Sequence, residues 1–188
     1  MARLFFAVAT DPAMAGRLRA VQDRLAAHEA AGALRFSVPE QAHYTLRFLG
    51  EQGPERREAA TRAAMESARL TAAFEVVVDG RGVFPDERRA HTLWIGVDRG
   101  VADLSALARR IDERLAGEGF EKADHTFVAH MTLARIKRRL PADTIRSLLA
   151  TSEPLGTMRV DEFALFESRP SPRGAVYVAL EKFRLSAS

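Results

Sequence analysis

The chain predicts an α+β fold built of two similar halves around a cleft, and three observations carry that reading. Short apolar runs alternate with amphipathic helical stretches along its 188 residues. The order strand, long helix, His-x-Thr-Leu occurs twice, over residues 6–46 and again over residues 95–133. No low-complexity linker separates the copies, so residues 1–188 are expected to form one domain of two lobes. Repeated halves of this kind place their shared site in the cleft between them.

The elements follow in order. Residues 3–9, with Phe5, Phe6 and Val8, read as a buried strand. Asp11-Pro12 reads as a helix N-cap with proline at the first helical position. Met14, Leu18, Val21 and Leu25 continue at helical spacing, so a helix is expected to about Ala31, stopped by Gly32. Residues 34–36 make a short strand, residues 37–39 a turn, and residues 42–48 a strand that ends at Gly50. A second helix should open at Pro54 and run through the Glu/Arg/Ala-rich stretch to Leu70. Strands are expected over residues 74–78 and 92–97, the second holding Trp94. Val101, Leu104, Ala108, Ile111 and Leu115 mark a third helix, closed by Gly117 and Gly119. Then come a strand over residues 132–136, a short helix over 141–150, and strands over 158–166 and 177–185. Residues 167–174, with two prolines and with Arg169 and Arg173, read as a loop that either borders the cleft or faces solvent.

Composition narrows the chemistry. An apolar fraction of 47% and a charged fraction of 28% are those of a globular chain. No run approaches the roughly 18–20 apolar residues of a membrane span. The N-terminal apolar stretch is too short for a signal peptide, so a cytoplasmic protein is the expectation. The absence of cysteine removes disulfides, thiol nucleophiles and cysteine-ligated metals together. The net charge of +3 is mild, and its cations are almost all arginine. Arginine suits phosphate through its planar fork of donors, although a bias toward Arg and Ala explains the count as well.

The two copies read HYTL at 43–46 and HMTL at 130–133. Side chains alternate along a strand, so His43 and Thr45 share a face, as do His130 and Thr132. A pseudo-twofold would bring two imidazoles and two hydroxyls together. Imidazoles near their free pKa of about 6.5 can serve as one base and one acid at neutral pH. Hydroxyls can donate to the non-bridging oxygens of a phosphate. That inventory cleaves a phosphodiester without a metal: one group activates the nucleophile and the other protonates the leaving oxygen. One His-x-Thr-Leu arises by chance in roughly a few per hundred chains of this length. Two at equivalent places are rarer by about two further orders of magnitude.

With these motifs the chain resembles the 2H phosphoesterases, and closely the bacterial and archaeal RNA 2′,3′-cyclic phosphodiesterases, once named 2′-5′ RNA ligases. The segments RLFFAVA, HYTLRFLGE, GVFPDERRAHTLWIGV, HMTLARIK and LFESRPSPRGAVYVALEKFRL carry the resemblance across nearly the whole chain. It implies two lobes, each an antiparallel sheet with helices on its outer side, around a central groove. It implies His43 and His130 as the catalytic pair, with Thr45 and Thr132 on the phosphate. The implied reaction hydrolyses a terminal 2′,3′-cyclic phosphate on RNA to a 2′-phosphate without metal or other cofactor. We assign His130 as base and His43 as acid; pseudo-symmetry leaves the opposite assignment nearly equivalent, and reverse ligation would exchange the roles.

Arg135 falls where the family's second motif carries a phosphate-binding arginine. Strict alternation turns it away from His130, so it needs a bulge or the strand end to reach the groove. Arg47 has the right parity to add positive potential near RNA, and reads equally as a solvated arginine at a strand edge. Phe48 belongs to the first motif as a candidate for base stacking, while its parity with Leu46 points it to the core. Ala129 stands where the family often has proline. His28 is expected exposed on the first helix. His91 and His125 each precede a threonine, which would put ring and hydroxyl on opposite strand faces. No carboxylate sits at ligand spacing beside the motifs, and no Gly-rich phosphate loop is present. The expected partner is RNA with a 2′,3′-cyclic phosphate end, with no membrane and no obligatory protein partner. A phosphodiesterase for a small cyclic nucleotide or an ADP-ribose cyclic phosphate, and a non-catalytic module that binds RNA ends, are the alternatives.

Overall fold

The computed structural model describes residues 1–150, 154–172 and 174–187. In chain order the elements are β1 (Ala2–Ala9), α1 (Pro12–Ala26), β2 (Leu34–Phe36), β3 (His43–Gln52), α2 (Pro54–Arg69), β4 (Phe74–Phe84), β5 (Thr92–Arg99), α3 (Val101–Gly117), β6 (Met131–Ile136), α4 (Ala142–Leu149), β7 (Gly156–Val160), β8 (Glu162–Arg169) and β9 (Val176–Arg184). Single 3-10 turns at Ala31–Ala33 and Pro39–Gln41 flank β2. No helix among the described residues is long and apolar enough to cross a membrane.

The strands form two antiparallel sheets, one ordered β3-β1-β8-β9 and the other β2-β6-β5-β4-β7. The plan repeats. Each motif strand, β3 or β6, lies beside the strand that opens its half, β1 or β5. Beyond that strand lie β8 and β9 in one sheet, and β4 and β7 in the other. β2 is the extra strand, paired along the outer edge of β6.

The helices cross between the halves. α1 follows β1, yet its Gln22 Nε2 donates to the Leu133 carbonyl of β6 at 3.0 Å and to Ser37 O at 2.8 Å. α3 follows β5, yet its Asp112 pairs with Arg47 of β3 at 2.7 Å. On the first sheet α2 is tied to β9, where Thr61 Oγ1 donates to Glu181 Oε2 at 3.0 Å. α1 and α3 therefore each bond to the motif strand of the other half, which joins the two lobes around one core. α1 buries Met14, Leu18, Val21 and Leu25, and α3 buries Leu104, Leu107, Ile111 and Leu115. Each such side chain contributes about 1.5–3 kcal/mol on leaving water.

Several boundaries differ from expectation, each for a local reason. α1 opens as expected, with Asp11 Oδ1 accepting the Met14 N–H at 2.6 Å, but ends at Ala26 rather than Ala31. His28 Nδ1 accepts the Ala30 N–H at 3.0 Å and turns the chain. His28 is thus half-buried beyond the helix, and its Nε2 lies 3.0 Å from Ser147 Oγ, which joins it to α4. β4 runs on to Phe84 because a bulge at Gly80, with φ of 73°, absorbs the irregularity. The single strand read over residues 158–166 is two, β7 and β8, parted at Asp161, where the chain leaves one sheet for the other. β8 continues to Arg169, so the loop begins later than expected.

Candidate active site

β3 and β6 present their motifs through the same deviation from regular pairing. Along β3, Thr45 faces Ala7, Arg47 faces Phe6 and Phe48 faces Phe5, which leaves Leu46 as an extra residue. Along β6, Thr132 faces Trp94, Ala134 faces Leu93 and Arg135 faces Thr92, which leaves Leu133 as the extra one. One extra residue reverses the alternation beyond it. Phe48 and Arg135 therefore join the groove face that carries the histidines and threonines.

This corrects two expectations from parity. Phe48 is not a core residue: it is 54% exposed and packs 5.6 Å from the Phe5 ring. Arg135 reaches the groove by the bulge it needed, and donates through Nη1 to the Thr92 hydroxyl at 2.5 Å. Arg47 is neither free nor a solvated edge residue. Its Nε donates to Asp112 at 2.7 Å, other guanidinium N–H groups reach the Phe48 and Glu121 carbonyls, and its side chain is only 14% exposed.

The two imidazoles are held alike. His43 Nδ1–H donates to the Gln41 carbonyl at 2.7 Å, and His130 Nδ1–H to the Val128 carbonyl at 2.8 Å. Each bond fixes the tautomer and leaves Nε2 to exchange a proton. Aromatic rings wall both. His43 lies 5.1 Å from Phe5 and 4.9 Å from Tyr177; His130 lies 4.7 Å from Phe84 and 6.2 Å from Trp94. Burial accordingly holds the His43 imidazole below its usual pKa, against the upward pull of the Gln41 carbonyl, and the charge of His130 adds to the lowering. His130 is lowered by burial in the same way, raised by the Val128 carbonyl, and lowered again by Arg135. Protonation of one ring opposes protonation of the other, which suits one acid beside one base.

Two cavities meet here. The smaller, about 310 Å³, is lined by His43, Thr45, His130, Thr132 and Arg135 together, with Phe36 and Tyr177 as its apolar walls. The larger, about 520 Å³, shares Thr45, Phe48 and His130 and extends past Phe84, Phe127 and His125. Cα partnership across the sheets and shared cavity lining thus unite the motif residues with Arg135 and Phe48, and set Arg47 in the larger cavity with its charge matched. Gly174 and Ala175 bring the loop after β8 to the smaller cavity. Arg169, expected in that loop, is the last residue of β8 and is paired with Glu167 at 2.7 Å, and Arg173 lies outside the described residues.

The remaining histidines are elsewhere or differently engaged. His91 precedes β5, so alternation does not separate it from its neighbour: its Nδ1 lies 2.9 Å from Thr92 Oγ1. His125 lies outside the strands, 2.6 Å from Asp124. Among the described residues, no group of three or more His, Asp or Glu side chains is arranged to hold a metal ion. Sequence reasoning missed the aromatic walls Phe5, Tyr177 and Phe84, and Trp94 as a floor. Gly82, the Cα partner of Trp94 across β4 and β5, leaves room for that ring, since a Cβ there would stand 2.0 Å from it.

A sequence profile described as the 2′-5′ RNA ligase superfamily matches residues 10–171. A Methanothermobacter thermautotrophicus protein named RNA 2′,3′-cyclic phosphodiesterase is 31% identical over 185 residues, 97% of this chain and 98% of its own length. A protein of the same name from Archaeoglobus fulgidus is 34% identical over 187 residues, 96% and 99% of the two chains. A Thermus thermophilus protein of solved structure superposes with a TM-score of 0.79 at 29% identity, over 98% of each chain. With the profile spanning both motif strands and the relatives matched nearly end to end, the chain belongs to the 2′-5′ RNA ligase superfamily, the 2H phosphoesterases.

Proposed function

We propose that this protein hydrolyses the terminal 2′,3′-cyclic phosphate of RNA to a 2′-phosphomonoester, in the cytoplasm, with both lobes of residues 1–188 acting as one domain. One observation carries the reading: two imidazoles, each with Nδ1–H fixed on a backbone carbonyl, line one cavity with two threonines and an arginine. The relatives' shared name, RNA 2′,3′-cyclic phosphodiesterase, supports the substrate class.

In the reaction the cyclic phosphate lies between the two His-x-Thr pairs, with Thr45, Thr132 and Arg135 donating to its non-bridging oxygens. Neutral His130 Nε2 takes a proton from water as the water oxygen bonds to phosphorus. The P–O3′ bond breaks, and O3′ receives the Nε2 proton of the His43 imidazolium. The Arg135 charge beside His130 favours the neutral ring that a base requires. The anionic substrate favours the imidazolium that the acid requires. Both proton transfers come from side chains already in place, so the step requires no metal. In ligation a 5′-hydroxyl would stand in for water, losing its proton to His130 as its oxygen bonds to phosphorus, while the P–O3′ bond breaks and O3′ takes the His43 proton. In the reverse cleavage O3′ attacks, the 5′-oxygen leaves and the two histidines exchange roles.

The test is to incubate the protein, in EDTA, with a short RNA ending in a 2′,3′-cyclic phosphate and to identify the product. A 2′-phosphate end is expected. A 3′-phosphate would show that the other oxygen leaves, and no turnover would contradict the reading.

A further inference from the structure

The cations around the two cavities are not treated alike. Each arginine that lines the larger cavity is matched, Arg47 with Asp112 at 2.7 Å and Arg109 with Glu113 at 3.9 Å. On the side of the smaller cavity the opposite holds. Arg35 of β2 and Arg135 of β6 are direct Cα partners, both exposed, on the face that lines this cavity. Beyond them the Lys137 N–H donates to the Ala33 carbonyl at 2.8 Å, so the pairing of β2 and β6 continues for one more residue. Ile136 and Leu34, between these positions, are buried, so Lys137 follows Arg135 on the groove face. Arg138 and Arg139 come next and are exposed. Among the described residues none of these cations has a carboxylate partner, and Glu40, in the turn after β2, is held by Arg19.

Like charges placed directly opposite on a sheet repel. A charged side chain on β2 is accounted for by protection of an edge strand. Arg135 opposite it serves the reacting phosphate, but edge protection does not account for Lys137, Arg138 and Arg139, which follow it beyond β6. A polyanion laid along this edge does account for them together with Arg35. Building on the proposed function, we infer that the RNA strand leading to the reacting end runs over the β2–β6 edge on a track formed by Arg35, Lys137, Arg138 and Arg139. The smaller cavity takes the terminal nucleotide, and the track makes oligonucleotide ends better substrates than the corresponding mononucleotide.

The experiment compares kcat/KM on a short RNA ending in 2′,3′-cyclic phosphate with kcat/KM on a nucleoside 2′,3′-cyclic monophosphate, over a salt series. The proteins are wild type, the triple variant Lys137→Ala, Arg138→Ala, Arg139→Ala, and Arg109→Ala from the other side; thermal melts confirm folding. In the triple variant the oligonucleotide advantage should fall at least about tenfold at low salt. Its log–log salt slope should drop by about two, at roughly 0.7 per cation removed from a single strand. Arg109→Ala should keep both. A triple variant with the wild-type ratio and slope, or an advantage lost in Arg109→Ala instead, overturns the inference. If wild type turns over neither substrate, the proposed activity fails, and binding then decides the track. Fluorescence anisotropy of the same RNA with a 3′-hydroxyl end should show affinity and salt slope reduced in the triple variant, and equal binding would overturn the track.

Discussion

β3 and β6 follow the same backbone path and carry the same His-x-Thr groups, yet they end on different side chains. Each holds a histidine on a carbonyl two residues before it, a threonine two residues after, and one extra residue before the groove face resumes. At that resumed position β3 places Phe48 and β6 places Arg135. The neighbours differ in step. Ala7 and Phe5 stand opposite Thr45 and Phe48, whereas Trp94 and Thr92 stand opposite Thr132 and Arg135. One lobe therefore offers an apolar plate, Phe48 backed by the buried Phe5 ring, and the other a cation steadied by a hydroxyl. Acid–base chemistry on a diester uses equal parts from both sides, while holding a nucleotide needs unlike parts: an aromatic face for a base and a positive charge for its phosphate. On the proposed reading, the symmetry of the backbone serves the first need, and its breaking at a single position serves the second.

The comparison can be broken in order of effect. Replacing either histidine should be most severe: His43→Ala or His130→Ala should each lower kcat by at least about 10²-fold on cyclic-phosphate RNA. Unequal losses, with one variant near wild type, would mean that the lobes do not share the chemistry. Next come the unlike positions. Arg135→Ala removes a charge-assisted hydrogen bond to phosphate and should lower kcat/KM about 10- to 100-fold, as expected for about 1.5–3 kcal/mol. Phe48→Ala should act on KM by about tenfold with little change in kcat, as loss of base stacking does. Equal effects of both on kcat would erase the distinction between plate and cation.

The smallest effect concerns Tyr44, which stands between His43 and Thr45 as Met131 stands between His130 and Thr132. Its side chain is fully buried, and among the described residues its hydroxyl has no hydrogen-bond partner. Tyr44→Phe removes that desolvated group and should raise stability by up to about 1–3 kcal/mol, read as a higher Tm, with turnover unchanged. A lower Tm would show that the hydroxyl is satisfied in solution.

What the sequence made legible was the pattern that repeats. The His-x-Thr pairs, the helices opening at Pro12, Pro54 and Val101, and the two-lobed plan are all written as spacing or as cap residues. Phe48 and Arg135 were misplaced by alternation for one shared reason. A bulge costs little and is decided by the neighbouring strand, so nothing within HYTLRF or HMTLAR announces it. Residues 158–166 hid their break because both strands bury the same kind of side chain, and only the partner sheet distinguishes Met158 from Phe163. Arg47 was legible as a cation near the site but not as one neutralised by Asp112, which lies 65 positions away in the chain. Long-range pairing of this kind belongs to the fold, and local pattern does not contain it.

The central claim is that one imidazole gives a proton while the other takes one, and the pH profile of kcat/KM on cyclic-phosphate RNA, measured in EDTA, tests it most directly. Burial holds both rings below their ordinary value, so the free protein has both largely neutral above about pH 6.5. The rate should therefore be bell-shaped, its maximum on the acid side of about pH 6.5, with limbs that belong to the pair rather than to either ring. In Arg135→Ala the loss of a positive charge beside His130 should move the profile to higher pH. A flat profile between about pH 5 and 8 would contradict the two-histidine account.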